Sequence, residues 1–140
     1  MGYKPKNFIL QELIDPWTFK TYGIRGWTFL DARAVEMLQL IRDRHGPCRV
    51  NDWWKHGVRL ASGFRPPQSR VGAKLSQHRF GRAFDVKPLQ ASVTDVREDI
   101  MDNPEVYKYI TRLEHEDAAP AWVHFDCAAT EHNGIWVFKP

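Results

Sequence analysis

Two short segments hold residues whose types and spacing suit metal chemistry. They are Ser76-Gln77-His78-Arg79-Phe80-Gly81-Arg82-Ala83-Phe84-Asp85 and, downstream, Trp122-Val123-His124-Phe125-Asp126. Between them they offer two histidines and an aspartate from separate parts of the chain. That is the donor set of an open zinc site, where three nitrogen or oxygen ligands leave the fourth position to water. A structural zinc is more often closed by four ligands that include cysteine. This chain has only two cysteines, Cys48 and Cys127, and neither belongs to a Cys-x-x-Cys pair. Two histidines and a carboxylate can also hold iron. Taken singly, each histidine reads as a core or surface residue, and Asp85 as a strand-end cap or ion-pair partner. Only the combination points to a metal.

The same residues carry a family resemblance. Ser76, His78, Gly81, Ala83 and Asp85, followed by Trp122, His124 and Asp126, resemble the motifs of the M15 family of zinc peptidases, and of its subfamily A in particular. That family includes D-Ala-D-Ala carboxypeptidases, vancomycin-resistance dipeptidases and phage peptidoglycan endopeptidases. Upstream, Ser62-Gly63-Phe64-Arg65-Pro66 resembles its Ser-Gly-Tyr-Arg-Ser/Pro segment. The similarity runs from about Val50 to the C-terminus and leans toward short, phage-type members. It implies a hedgehog/DD-peptidase-like α+β fold, with zinc held by His78, Asp85 and His124. It also implies that Arg65 holds a substrate carboxylate or polarises the scissile carbonyl. A guanidinium fork suits that task because it binds carboxylates bidentately and stays charged. The implied substrate is a peptidoglycan peptide, cut at a bond that involves a D-amino acid.

Hydrolysis needs a general base. Many relatives of that family place a Glu three residues before the second zinc histidine, or a His five before it; Ala121 and Ala119 stand there in this chain. The nearest titratable run is Glu114-His115-Glu116-Asp117. Glu114 ends an apolar run and is the first candidate, whereas Glu116 and Asp117 read as loop. Asp126 shares a strand face with His124 and could accept its second ring N–H, as such histidines usually require. Equally, it could pair with Arg65 or be solvated. Ser76 could hydrogen-bond near the site or serve a local turn. His45, His56, His115 and His132 match no ligand position.

The elements that must position these residues follow from periodicity and punctuation. Alternation places Trp122, His124 and Asp126 on one face of a strand and Val123, Phe125 and Cys127 on the other. Ala83 to Val86 reads as a buried strand, with Gly81 permitting the turn before it. Trp122–Cys127 and Ile135–Phe138 read as strands, the latter preceded by the turn signal Asn133-Gly134. Asp31 caps a predicted helix to about Arg44, with Leu30, Ala34, Leu38 and Ile41 as its apolar stripe and Gly46-Pro47 as its stop. Cys48 to Asn51 reads as a short strand. Ser92 caps a second helix carrying Val93, Val96 and Ile100, stopped by Asn103-Pro104. Tyr107 to Leu113 is ambiguous between helix and strand. Met1 to Thr28 reads as a wrapping segment with one short helical turn. Asp52 to Gln77 reads as a long loop, and such loops inside compact domains are usually functional or disordered. Trp53, Trp54 and Phe64 could line a cleft there or pack beneath it. The expected architecture is a single α+β domain, residues 1–140, with a central antiparallel sheet flanked by helices.

Bulk properties narrow the alternatives. At 140 residues the chain can bury a core without disulfides, so Cys48 and Cys127 are expected as free thiols. A net charge of +3 with no Lys/Arg run argues against nucleic acid, and no apolar run approaches a membrane span. Met1 to Lys6 lacks the apolar stretch of a secretory signal, so synthesis in the cytoplasm is expected, with virion association or release to the wall. A monomer is expected. The competing reading is a non-catalytic zinc-binding module, such as a phage structural or assembly protein.

Overall fold

The computed structural model describes residues 3–140. Among the described residues three α-helices form, each started by a capping side chain. Helix α1 (Pro16–Tyr22) starts at Asp15, whose carboxylate accepts from Thr18 N at 3.0 Å, with Pro16 at the first position. Helix α2 (Ala32–His45) starts at Asp31, which accepts from Arg33 N at 2.9 Å, and stops at Gly46. Helix α3 (Val93–Asp102) starts at Ser92, which accepts from Asp95 N at 2.9 Å, and ends before Pro104. The strands are β1 (Cys48–Arg49), β2 (Ala83–Pro88), β3 (Arg112–Glu114), β4 (Val123–Asp126) and β5 (Trp136–Phe138).

The five strands make one sheet in the order β1-β2-β4-β3-β5. The architecture is a small α+β domain, but the sheet is mixed rather than wholly antiparallel. All pairings are antiparallel except β3 with β5. The chain after β4 passes beyond β3 before β5 begins, so the Asn133-Gly134 turn, with Gly134 at φ 70°, closes no hairpin. Tyr107–Leu113 resolves as a turn with a fully buried Tyr107, followed by the short β3.

The two faces of the sheet have opposite character. Phe84, Val86, Leu113, Val123 and Phe125 point into the core, where they join Leu38 and Ile41 of α2 and Val96 and Ile100 of α3. Burying each such side chain contributes about 1.5–3 kcal/mol. The alternate positions, Asp85, Arg112, Glu114, His124 and Asp126, therefore share the other face.

The N-terminal segment is more helical than expected. It holds 3-10 turns at Leu10–Glu12 and Gly23–Phe29 besides α1, because Asp15-Pro16 is a strong helix start. It buries Leu10, Leu13, Ile14 and Trp27, and its carbonyls hold the site-bearing loop. Leu13 O accepts from Phe64 N at 2.8 Å, and Ile14 O accepts from the Trp53 indole at 2.9 Å. The loop from Asp52 to Gln77 is irregular apart from the 3-10 turn Trp53–Lys55. Cys48 and Cys127 are buried free thiols, with burial pushing them up to about 11 and about 12. Among the described residues, no helix is long and apolar enough to cross a membrane.

Candidate metal centre

His78 stands on a 3-10 turn, Gln77–Phe80, and is 2% exposed. The turn ends at Gly81, whose φ of 69° suits glycine and whose missing Cβ would meet the Phe29 carbonyl. Asp85 lies on β2 and His124 directly opposite it on β4. One ligand atom from each of His78, Asp85 and His124 lies within 4.8 Å of the others.

The hydrogen bonds define which atoms face the centre. His78 Nδ1 donates to the Gly63 carbonyl at 2.8 Å, leaving Nε2 3.3 Å from Asp85 Oδ1. His124 Nδ1 lies 2.9 Å from the same Asp85 oxygen, while Nε2 lies 3.0 Å from Asp126 Oδ2. Each ring thus has an outer acceptor for one nitrogen and turns the other toward Asp85 Oδ1. Metal-ligating histidines use this arrangement to set their tautomer. Asp126 is fully buried and is also held by Arg112 through two 2.8 Å bonds. Asp126 takes His124, Arg112 and the Ala128 N–H, the last at 3.1 Å, and not Arg65 or solvent.

The charge states fit a cation. Burial opposes ionisation of Asp85, but the hydrogen bond from His124 leads the interactions that outweigh it and hold the carboxyl well below the usual range. Burial likewise opposes the charge on Asp126, and His124 and Arg112 overcome it. Burial lowers His78 despite Asp85, which keeps its imidazole neutral. His124 is disfavoured by burial, yet its bonds to Asp126 and Asp85 raise it to about 9. The His124 proton therefore sits on the axis toward Asp85, where a metal ion would replace it. Two imidazoles with preset tautomers and one carboxylate form a donor set that fits a divalent metal with open positions.

The triad lies in an open cleft of about 470 Å³. Arg65, Glu114, Arg112, Trp122 and Phe138 line it too. The sheet register explains this grouping. Ala83, Asp126, Arg112 and Trp136 form one row across β2, β4, β3 and β5. In the adjacent row Asp85 pairs with His124, and Glu114 pairs with Phe138. Glu114 Oε2 comes within 3.8 Å of His124 Nδ1. Arg65 Nη2 lies 3.3 Å from Asp85 Oδ2 and its Nε donates to Ala61 O at 2.7 Å, so it contacts a candidate ligand as well as the cleft.

Other expected residues fall elsewhere. Ser76 lines the cleft, but its carbonyl, not its hydroxyl, makes the local bond, accepting from Arg79 N at 3.0 Å. Trp53 and Phe64 pack beneath the loop, Phe64 stacking on Phe29 at 5.2 Å, and Trp54 lies half-exposed under Lys55. Glu116 and Asp117 are exposed, and Asp117 faces Lys139 and His115. His45 pairs with Asp99 and His132 stacks on Trp136. Arg112 escaped the sequence reading, although it sits two residues before Glu114 and so shares its face by alternation. Comparison with protein-family models, curated proteins and solved structures found no match to this chain.

Proposed function

We propose that this protein is a zinc metallopeptidase of the M15 type that hydrolyses D-amino-acid-containing peptide bonds of bacterial peptidoglycan, as a phage-type cell-wall enzyme. The observation that carries the reading is the meeting of His78, Asp85, His124, Arg65 and Glu114 in one cleft. A second observation supports it. From Trp53 to Phe84 the chain contains Lys55, Arg59, Arg65, Arg70, Lys74, Arg79 and Arg82 and no acidic residue. This stretch forms much of the cleft wall, and its Arg65 lines the cleft itself, which favours a substrate that carries a carboxylate.

In this reading His78 Nε2, Asp85 and His124 Nδ1 would hold zinc, which would supply a Lewis acid to activate water and polarise a carbonyl. Glu114 accepts the proton of the attacking water on its carboxylate and returns it to the leaving amine. Arg65 offers the rest of its guanidinium to a substrate carboxylate or to the developing oxyanion. Asp126 and Gly63 O keep both rings turned the right way. The competing reading, a non-catalytic zinc-binding module of a phage structure, draws on Ala119 and Ala121 at the places where many M15 peptidases carry the base.

The test is digestion of purified peptidoglycan by the zinc-loaded protein, with a chelated control and mass spectrometry of the fragments. Chelator-sensitive peptide fragments are expected, and their masses identify the bond cut. Intact stem peptides in both arms, with stoichiometric zinc confirmed, would favour the binding module.

A further inference from the structure

One wall of the cleft is a loop with few hydrogen bonds of its own. Val71, Gly72, Ala73, Leu75 and Ser76 all line the cleft. Within the segment from Pro66 to Ser76 the bonds are Ser69 N to Pro66 O, Ser76 N to Ala73 O, and a weak Val71 N to Ser69 Oγ at 3.3 Å. Pro66 and Pro67 have no N–H to offer. Exposed Val71 and Leu75 bury little apolar surface in return for order.

The missing order comes from Arg79, the residue after His78. Its guanidinium donates to four backbone carbonyls of this one loop: Ala73 O at 3.2 Å, Pro66 O at 3.3 Å, Pro67 O at 3.1 Å and Ser69 O at 2.8 Å. Only a planar fork with several fixed donors can span acceptors so spread along the chain. The loop so held brings Gly72 close to the Arg65 guanidinium. Gly72 adopts φ 75°, and a Cβ there would collide with Arg65 Nη1. Arg65 is thereby confined on three sides, by Ala61 O, by Asp85 and by the Gly72 backbone.

We propose that Arg79 is a positioning residue: it clamps the loop from Pro66 to Ser76 as a fixed cleft wall and, through Gly72, aims Arg65 at the substrate. It touches none of the three ligand side chains, so its effect is on substrate placement and not on the metal. The substrate part of the inference rests on the metallopeptidase reading; the clamp itself does not.

The experiment compares the zinc-loaded full chain with Arg79→Gln, Arg79→Lys and Gly72→Ala. Three readouts are taken: tryptic cleavage at Arg70 and Lys74 followed by mass spectrometry, zinc affinity by competition with a chelating dye, and kcat and KM on a wall-derived peptide. Cleavage in the loop should rise at least tenfold in both Arg79 variants, since Lys cannot replace the fork. Zinc affinity should stay within threefold of wild type. KM should rise about tenfold in all three variants with kcat changed less than threefold. Gly72→Ala reaches the same end by a separate route, displacing loop or guanidinium while leaving Arg79 intact. Unchanged loop proteolysis in the Arg79 variants would overturn the clamp. Zinc affinity falling in step with thermal stability would show that Arg79 only supports the His78 turn, and would overturn it too. A wild-type protein that cleaves no wall peptide would remove the metallopeptidase reading and the substrate role together, with the proteolysis result still deciding the clamp.

Discussion

Glu114 and His124 stand side by side on adjacent strands, with Glu114 Oε2 3.8 Å from His124 Nδ1, the ring nitrogen that also faces Asp85. The carboxylate therefore flanks the point where the ligand atoms converge. It reaches that space from β3, whereas Ala119 and Ala121 stand in the loop that precedes β4 and do not line the cleft. In the metallopeptidase reading, its position in space and not in sequence makes Glu114 the candidate proton acceptor.

Glu114→Gln retains the size and removes the proton acceptor. Hydrolysis of a wall peptide should fall about 10²–10⁴-fold, the usual contribution of a positioned acid–base group. Zinc stoichiometry and thermal stability should hold, because Glu114 is not needed as a ligand. Turnover within tenfold of wild type would take Glu114 out of the mechanism.

Asp126 tests the support behind the ligand. Asp126→Asn keeps a polar group against His124 but loses its charge, and zinc affinity should drop about 10–100-fold. Asp126→Ala also strands the Arg112 guanidinium and His124 Nε2, the nitrogen turned away from Asp85. That should cost about 3 kcal/mol of stability, measured by chemical denaturation of the metal-free protein. Equal zinc affinity in Asp126→Asn and wild type would mean that the His124 ring is oriented by packing alone.

The acidity of His124 would make metal uptake at the triad depend on pH. Its folded value of about 9 lies above the unfolded value of about 6.5. In the metal-free protein this group's stabilising contribution is complete below about pH 6.5 and is lost as pH rises through about 9. Zinc must displace the same proton, whereas His78, lowered by burial, carries none at neutral pH. Between pH 7 and 8, zinc binding should release about one proton from the protein and tighten about tenfold. Calorimetry in two buffers of different ionisation enthalpy measures both. An affinity independent of pH over that unit would show a neutral His124 in the metal-free state.

The candidate triad was legible because its spacing survives in one dimension: His78 and Asp85 flank a glycine turn, and His124 alternates with core residues. The strand faces were legible for the same reason, since a period of two sorts Phe84 and Val86 from Asp85 without knowledge of the fold. The candidate base and its surroundings were harder to read. Glu114 emerged only as the end of an apolar run, and Arg112 not at all, because their partnership with Asp126 and His124 depends on which strand neighbours which. The parallel β3–β5 pairing had the same cause: Asn133-Gly134 signals a turn but does not say how far the chain travels after it. Arg79 was hidden for another reason. A side chain that holds backbone carbonyls leaves no pattern in the types of residue it holds.

The far side of the domain offers a control in which scaffold and site separate. Asp99 on α3 gathers Arg44 and His45 from the end of α2 and the hydroxyl of the fully buried Tyr107. The bond from Arg44 leads the set that overcomes partial burial and holds the Asp99 carboxyl well below the usual range. Its stabilising contribution is present above the unfolded carboxylate value of about 3.9 and is lost as pH falls through the lower folded value. Tyr107→Phe removes one donor and leaves Asp99 with Arg44 and His45, so it should cost about 1 kcal/mol. Asp99→Ala strands the Tyr107 hydroxyl and unties both helices, and should cost about 2–3 kcal/mol, with the loss shrinking below about pH 3. Neither variant touches the cleft, so zinc affinity should stay within twofold of wild type. Denaturation curves at about pH 7 and about pH 3 with parallel zinc titrations make the check. A fall in zinc affinity in Tyr107→Phe would mean that the α2–α3 clip and the metal face of the sheet are coupled through the core.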